Sequence, residues 1–286
     1  MVTLNDRPTT SAPTVPSEST RTSRILVAVD AASAIALFVA AFAVYVRTLQ
    51  PGLVGGDGGE FQFVPAILGI PHYTGYPLYV IVGKLWGFLP FGSVAYRMNL
   101  LSAVFGAGAV ACSYLAARSI GAHPLPAAVG AVAVGATWLL WQWATISGVR
   151  AAAVFFAALV FWLALRWYGL ARRGDTARAR RAAVLLALAL GLSLAHHRST
   201  IFWIPALVAF VLLVRDRTRL DRRLIALAAV AFLAPLLLYL YLPIRAAMGT
   251  PYDQFRPDTL GGFVTLVGAI GVSRGLLGVP PAAIPH

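Results

Sequence analysis

The sequence is poor in charge, and above all in acidic charge. Only 10 of its 286 residues are Asp or Glu, and all but one of its 23 basic residues are Arg. Charged side chains make up 12% of the chain against 59% hydrophobic ones, a balance that is typical of membrane proteins and excludes a soluble domain. The formal net charge of +13 is therefore interpreted as a signal of membrane topology, and nucleic acid is excluded as a partner.

Cysteine is nearly absent, and the first residues lack any apolar pattern. Cys112 is the single cysteine, so no intrachain disulfide can form. Residues 1–24 are rich in Ser, Thr and Pro, which predicts a disordered cytoplasmic tail. The apolar segment 25–46 is long enough to cross a bilayer and exceeds the usual signal-peptide core, so it is predicted to be a first, uncleaved span.

Six further apolar segments predict an all-α polytopic membrane protein with about seven transmembrane helices. They are 97–118, 124–143, 146–168, 182–195, 200–214 and 224–242. The segments 182–195 and 200–214 are short for a bilayer, and they are consistent with one long tilted helix. A hairpin with its tip at His196–Thr200 is preferred, because it leaves the arginine-rich runs on either side of it on one face of the membrane.

Arginine predicts the orientation. Residues 166–181 carry six arginines and residues 215–223 carry five, and with seven spans all eleven lie on the side of the N-terminus. Basic loops of membrane proteins are predominantly cytoplasmic. We therefore predict a protein of the bacterial plasma membrane with a cytoplasmic N-terminus. Its transmembrane module covers 25–243 with a long outer loop at 47–96, and an outer segment follows at 244–286.

The first outer loop is too apolar to be fully solvated. Residues 60–70 and 77–89 are predicted to form short helices in the membrane interface. At its entrance, Gly55–Glu60 reads GGDGGE, and four glycines predict an open turn that a substrate can approach closely. Asp57 and Glu60 are candidates for a general base with its partner, or for cation ligands. Alternatively, Glu60 favours a helix N-terminus and Asp57 lies on a surface turn.

Several ordered motifs resemble one enzyme family. The run at 55–121 begins GGDGGEFQFVPAILGIPHYTGYPLY, and it is followed by TWLLWQWATISGV at 137–149, GLSLAHHRSTI at 191–201 and YLPIRAAMGTPYDQFRPDTLGGF at 241–263. Over about residues 25–270, the chain resembles the GT-C superfamily of membrane glycosyltransferases, and most closely the transmembrane protein 260-like protein O-mannosyltransferases.

This resemblance implies an inverting transfer of a hexose, typically mannose, from a polyprenyl-phosphate carrier to a hydroxyl acceptor on a protein or glycan. The reaction would take place at the outer face of the membrane, with Asp57 as the general base and Glu60 as its supporting carboxylate. The resemblance also implies a GT-C-like module of seven spans with interfacial helices in the first outer loop. No metal-binding residues are predicted, and a divalent cation at the carboxylate pair is left open as a cofactor.

A phosphate-linked donor needs cations on the outer side, and the planar fork of arginine suits phosphate. The candidate phosphate-binding residues are His196, His197, Arg198 and Arg245. The candidate substrate platform consists of His72, Tyr73, Tyr76 and Arg97. Structural alternatives are interfacial anchoring for Arg245, a polar hairpin tip for the two histidines, and helix capping for Arg97.

The sequence also departs from the family pattern. Gly148-Val149-Arg150 stands where relatives often read Glu-Val-Tyr, so one acidic contributor is missing. The chain ends at His286 where relatives continue, which is expected of a truncated piece or of a short form. Two other functions stay open, a transporter or flippase-like binder of polyprenyl-phosphate lipids and an inactive membrane scaffold. Transport predicts charges within the spans, where Asp30 is the only acidic residue.

Overall fold

The computed structural model describes residues 18–214, 220–253 and 255–270, with side chains from Leu26 onward. Its elements are α1 (Glu18–Arg47), α2 (Gly56–Ile67), α3 (Pro77–Trp86), α4 (Val94–Ser119), α5 (Pro124–Gly135), α6 (Trp138–Thr145), α7 (Val149–Arg172), α8 (Thr176–His196), α9 (Ile204–Val214), α10 (Arg222–Leu233), α11 (Tyr241–Ala247), α12 (Leu260–Gly268) and the 3-10 helices Arg198–Trp203 and Ala234–Leu240. The predicted all-α polytopic membrane fold is confirmed. Parts of the predicted tail 1–24, of the arginine run 215–223 and of the outer segment 244–286 lie outside the described residues.

The first helices run back and forth between two ends of a bundle. At one end, Arg118 Nε of α4 donates to Asp30 Oδ1 of α1 at 2.6 Å. Towards the other end, Tyr45 of α1 packs in one cluster with Leu100 of α4. The two helices are therefore antiparallel, and Asp30, the one acid of the predicted spans, serves to join them.

The described arginines of the two dense runs lie at the same end as Arg118. Helix α7 begins beside the start of α4, where Leu101 and Val149 share a cluster, so both helices end together. In the first turns of α8, Arg180 forms an ion pair with Asp221, which also caps α10 through a hydrogen bond from Leu224 N at 2.7 Å. We call this the arginine-rich end, and the opposite end, which holds Asp57, the cavity end.

The predicted hairpin is confirmed. After His197 the chain reverses, and α9 returns along α8, so that Val214 packs against Ala179 and Ala182. Midway along the pair, Leu207 packs against a cluster that contains Ala189. A single tilted helix over 182–214 is therefore excluded, and the hairpin tip lies at the cavity end.

Five described helices are long and apolar enough to cross a membrane, and a bent pair makes up to six. They are Leu26–Arg47, Val94–Ser119, Val149–Arg172, Thr176–His196 and Arg222–Ala247, with Pro124–Gly135 and Trp138–Thr145 as the pair, bent by 64°. The returning arm of the hairpin, Arg198–Val214, is apolar but shorter. The predicted count of seven is therefore not confirmed, because this arm does not reach full span length.

The bend between α5 and α6 is held by contacts at Gly135. Its carbonyl, left without a partner at the helix end, accepts the Tyr45 hydroxyl at 2.8 Å. A Cβ at Gly135 would lie 2.7 Å from Val110 Cγ2, so glycine is needed for this close packing. The bend redirects α6 and brings Gln142 and Trp143 to the cavity end.

The two helices predicted in the first outer loop are present as α2 and α3, but the predicted glycine turn is wrong. Gly56 begins α2, with Gly55 as the N-cap, so the motif GGDGGE lies mostly within a helix. A Cβ at Gly59 would lie 2.2 Å from Val54 O, because the preceding chain folds back against this helix. Asp57 consequently lies in the first helical turn, where the helix dipole favours a negative charge.

The end of the last long helix and the segment after it close over the loop between α2 and α3. Tyr241 donates to Gly69 O at 2.9 Å, and Ile70 N donates to Tyr252 O at 2.8 Å. Ile70 is fully buried with Leu242 and Leu266. This clasp, formed by Tyr241, Leu242, Tyr252 and Leu266, fixes the loop that carries His72 and Tyr76.

Candidate active site

A cavity of about 260 Å³ opens at the cavity end, between the first turns of α2 and α7. Helix α6 forms a third side, and the α2–α3 loop and the hairpin tip close it. Its lining includes Asp57, His72, Tyr76, Trp143, Arg150 and His197. Acidic, basic and aromatic groups from five segments of the chain therefore meet in one cavity.

Asp57 and Arg150 form an ion pair on the wall of this cavity. Arg150 Nη2 lies 3.4 Å from Asp57 Oδ2, and the side chains are 58% and 55% exposed. A long, half-exposed ion pair contributes little to stability, typically about 0–1 kcal/mol. Both groups are therefore accessible to a molecule in the cavity.

A buried polar network holds the backbone on both sides of the pair. Asn99 and Gln62 are 0% and 1% exposed, and Gln62 Nε2 donates to Asn99 Oδ1 at 3.1 Å. The same oxygen accepts Ser147 N at 2.9 Å, while Asn99 Nδ2 donates to Gln50 O at 2.7 Å. Ser147 Oγ donates to Gly58 O at 2.6 Å. The turn before Arg150 is thus attached to α4 and to the residue next to Asp57.

Glu60 binds His72. Its Oε1 accepts His72 N at 2.9 Å, and its Oε2 contacts His72 Nδ1. Burial raises the pKa of Glu60, but the hydrogen bonds and charge of His72 and a bond from Tyr252 outweigh burial and leave the pKa below 4.5. The bond to Glu60 likewise raises the pKa of His72 above 6.5, against the effect of burial. The structure therefore favours a glutamate–imidazolium pair beside the cavity.

This pair predicts a pH dependence of stability. The contribution of Glu60, whose pKa is lowered from 4.5, is present above that value and lost as the pH falls through the folded pKa. The contribution of His72, whose pKa is raised from 6.5, is present below that value and lost as the pH rises through the folded pKa. We expect Glu60→Gln to lower the midpoint of thermal unfolding most between pH 4.5 and 6.5.

The measurement is a thermal unfolding series in detergent across this pH range for the parent and Glu60→Gln. Asp258→Asn serves as the control, since this carboxylate lies 4.0 Å from exposed Arg256 in a surface pair. A difference between the parent and Glu60→Gln that stays constant up to pH 9 would show that the His72 charge adds nothing to stability.

Aromatic rings form the wall of the cavity beside Asp57. The Tyr76 ring lies 5.4 Å from Phe61, 5.6 Å from His72 and 5.7 Å from His197. The Tyr76 hydroxyl donates to Tyr73 O at 2.6 Å, which fixes the ring in place. Such a wall offers an apolar surface with polar edges, which suits the C–H face and hydroxyl groups of a sugar.

Comparison with known proteins now places this site in a family. The family described as Protein O-mannosyl-transferase TMEM260 N-terminal domain matches residues 57–220, more than half of the chain. The chain belongs to the TMEM260 family. Asp57, His72, Arg150 and His197 all lie in the matched range of this TMEM260-family chain.

Two TMEM260 relatives differ in how much they cover. The Mus musculus protein O-mannosyl-transferase TMEM260 is 35% identical over 243 residues, which are 81% of this chain and 33% of the relative. The Dictyostelium discoideum protein O-mannosyl-transferase tmem260 is 33% identical over 82 residues, 28% of this chain and 10% of the relative. This chain thus spans about a third of the mouse protein. No solved structure matches it significantly.

The candidate site residues of this TMEM260-family chain fall into two groups. Asp57, His72, Tyr76 and His197 line the cavity, and Glu60 supports His72. His196 is buried behind the wall, and its Nε2 lies 2.8 Å from Val149 O. The remaining candidates are engaged elsewhere, and their predicted roles in binding stay predictions.

The side chains outside the cavity contact backbone or aromatic groups. Arg198 Nη1 donates to Gly268 O, and Arg245 Nε donates to Leu68 O at 2.9 Å, at the end of α2. Arg97 Nη1 donates to the carbonyls of the α3–α4 loop, including Leu89 O at 3.0 Å. The Tyr73 ring packs 4.3 Å from Phe255. The structure thus supplies packing or capping contacts for each of them.

Sequence reasoning missed Arg150 as a site residue of this TMEM260-family chain. The residue is recognisable from the sequence only as an arginine that opens a span on the side opposite to the dense arginine runs. Its partner Asp57 lies 93 positions away, so no local pattern links them. In the described ranges 18–214, 220–253 and 255–270, no three His, Cys, Asp or Glu side chains gather as a candidate metal site.

Proposed function

We propose that this protein is a membrane protein O-mannosyltransferase. It transfers mannose from a polyprenyl-phosphate carrier to a Ser or Thr hydroxyl of a protein, with inversion at the sugar and with Asp57 as the general base. The observation that carries the proposal is the half-exposed Asp57 carboxylate on the wall of the cavity, in a chain of the TMEM260 family. The names of the relatives supply the sugar and the class of acceptor.

The reaction needs one proton acceptor and one stabilised leaving group. The acceptor oxygen attacks C1 of the mannose from the face opposite to the phosphate, and its proton passes to a carboxylate oxygen of Asp57. The C1–O bond breaks, and the carrier leaves as polyprenyl phosphate with the bonding electron pair. Attack from the opposite face inverts C1, as in other single displacements.

Glu60 and His72 act as positioning residues in this proposal. The partly buried Glu60 holds His72 through both carboxylate oxygens, one at the backbone N and one at ring Nδ1, which keeps the ring beside Tyr76. The aromatic wall then offers a surface for the sugar. Because these groups are fixed by the fold before a substrate arrives, little ordering is needed on binding.

The cavity end is proposed to face away from the cytoplasm. Its support is the gathering of Arg118, Arg172 and Arg180 at the arginine-rich end, together with the tendency of basic loops to stay in the cytoplasm. A lipid-linked donor in the outer leaflet would then reach the cavity from the membrane. Because α1 begins at the arginine-rich end, the proposal also assigns a cytoplasmic N-terminus.

The test is a transfer assay with the full chain in detergent. We expect labelled mannose to pass from polyprenyl-phosphate mannose to a Ser/Thr-containing peptide, and the product to have the opposite anomeric configuration to the donor. GDP-mannose serves as a second donor in a parallel reaction. Transfer from GDP-mannose alone would contradict a polyprenyl-phosphate donor. Retention of the anomeric configuration would contradict a single displacement. Absence of transfer from both donors would contradict the assignment as a mannosyltransferase.

A further inference from the structure

We infer that Arg150 binds the phosphate of the donor lipid, and that this contact releases Asp57 from its ion pair. The inference rests on the proposed function, because it assigns the donor to the same cavity. It gives Arg150 two alternative partners, the Asp57 carboxylate when the cavity is empty and the phosphate when the donor is bound. Binding of the donor would thereby prepare the base for the acceptor.

The charges of the cavity favour Arg150 as the phosphate ligand. Among the described residues that line the cavity, it is the one Arg or Lys. The charge of His72 already faces Glu60. Burial and the charges of Arg198 and Arg150 lower the pKa of His197 and favour its neutral form. A phosphate that enters the cavity therefore finds its strongest attraction at Arg150.

The geometry of the Asp57–Arg150 pair allows a phosphate to replace Asp57 as the partner of Arg150. Its 3.4 Å separation and the half-exposed side chains make it a weak pair. The guanidinium is a rigid fork with five N–H donors, and a phosphate can accept two of them in parallel. A phosphate therefore competes well with a single long contact to a carboxylate oxygen.

The backbone around the ion pair is fixed by hydrogen bonds, whereas the Arg150 side chain can rotate. Val149 is buried and its carbonyl contacts His196 Nε2 at 2.8 Å, while Ser147 is attached to Asn99 and to Gly58. The start of α7 is thus fixed to α4, α8 and α2. Rotation of the long Arg150 side chain is sufficient to exchange partners, and no helix needs to shift.

Exchange implies an order of events. While Arg150 is paired with Asp57, the guanidinium occupies one carboxylate oxygen and blocks it from an acceptor hydroxyl. Donor phosphate draws the guanidinium away and leaves both carboxylate oxygens open to that hydroxyl. Activation of the acceptor hydroxyl then follows donor binding.

The experiment measures binding of polyprenyl phosphate, without a sugar, to the full chain in detergent. We expect Arg150→Gln to weaken binding by about 10- to 100-fold, as for loss of a charge-assisted hydrogen bond. Asp57→Asn is expected to tighten binding, since it removes both a competitor for Arg150 and a negative charge. Arg256→Gln is the matched control, because Arg256 also pairs with a carboxylate at the surface, Asp258 at 4.0 Å.

Two further probes distinguish the contribution of the phosphate to binding from that of the polyprenyl chain. Uncharged polyprenol is expected to bind the parent and Arg150→Gln equally, and inorganic phosphate is expected to bind weakly with the same dependence on Arg150. Binding of polyprenyl phosphate that is unchanged in Arg150→Gln would overturn the phosphate contact. Binding that weakens in Asp57→Asn would overturn the exchange.

The outcome is independent of turnover. If the parent transfers no mannose but polyprenyl phosphate binds as described above, the proposed function is wrong and phosphate binding by Arg150 is supported. If the parent transfers mannose and Arg150→Gln loses transfer at unchanged affinity, phosphate binding by Arg150 is wrong and the proposed function is supported. Midpoints of thermal unfolding that match the parent establish that each variant is folded.

Discussion

Replacing Asp57 by Asn is expected to lower the rate of mannose transfer by about 10²- to 10⁴-fold, the usual effect of losing a general base. The amide has nearly the same shape, and Asp57 is exposed in the first turn of α2, so the fold should be unaffected. The loss should appear in kcat, because the carboxylate acts on the acceptor proton rather than on the donor. The measurement is the steady-state rate with polyprenyl-phosphate mannose and a Ser/Thr peptide.

Two matched variants sharpen this result. Asp57→Glu keeps the charge but moves the carboxylate, so it should retain part of the rate, whereas Asp258→Asn removes a surface carboxylate that pairs with Arg256 at 4.0 Å. The second variant is expected to transfer at the parent rate. A rate for Asp57→Asn within threefold of the parent would show that the base lies elsewhere.

Replacing Asn99 by Leu is expected to destabilise the protein by about 1–3 kcal/mol or more, because the buried Ser147 N loses its partner and the partly buried Gln50 O loses a donor. Asn99 Nδ2 supplies the bond to Gln50 O, and Asn99 Oδ1 accepts Ser147 N. Gln62 Nε2 keeps its bond to Gly52 O at 3.0 Å. The turn before Arg150 would loosen, so transfer should fall as well. The measurements are thermal unfolding in detergent and the transfer assay.

The control for Asn99 lies on the same helix. Ser119 Oγ donates to Leu115 O at 2.7 Å within α4. Ser119→Ala therefore removes a hydrogen bond that does not connect α4 to another segment. A change of at most about 1 kcal/mol is expected there. If Asn99→Leu unfolded at the same temperature as Ser119→Ala, the network would not stabilise the site.

The helical bundle could be predicted because it depends on the order of polar and apolar side chains, which is visible in the sequence. The apolar segments predicted the long helices, and the two arginine-rich runs predicted the hairpin between them. The Arg180–Asp221 ion pair agrees with that hairpin, because it joins the two runs. The number of full spans was harder to predict, since Arg198–Val214 is as apolar as a span but shorter.

The details of the site depended on contacts between distant segments. GGDGGE was predicted to form a turn from its glycines, but most of it lies in α2, where Gln62 bonds back to Gly52 O and Val54 N. Arg198 and Arg245 have the chemistry that binds phosphate, yet they donate to the carbonyls of Gly268 and Leu68. Asp57, His72, Tyr76 and His197 line the cavity and are recognisable as candidates from the sequence, because the chemistry of a motif is visible within one segment.

The clasp has a consequence for how the protein is made. The α2–α3 loop leaves the ribosome early, but the residues that close over it, Tyr241, Tyr252 and Leu266, follow more than 170 positions later. Until they emerge, Ile70 has no buried partner and His72 is carried on a loop without its support. The cavity end would thus mature last, after the whole bundle has been inserted. An incomplete chain in the membrane would hold Asp57 and Arg150 but lack an ordered aromatic wall.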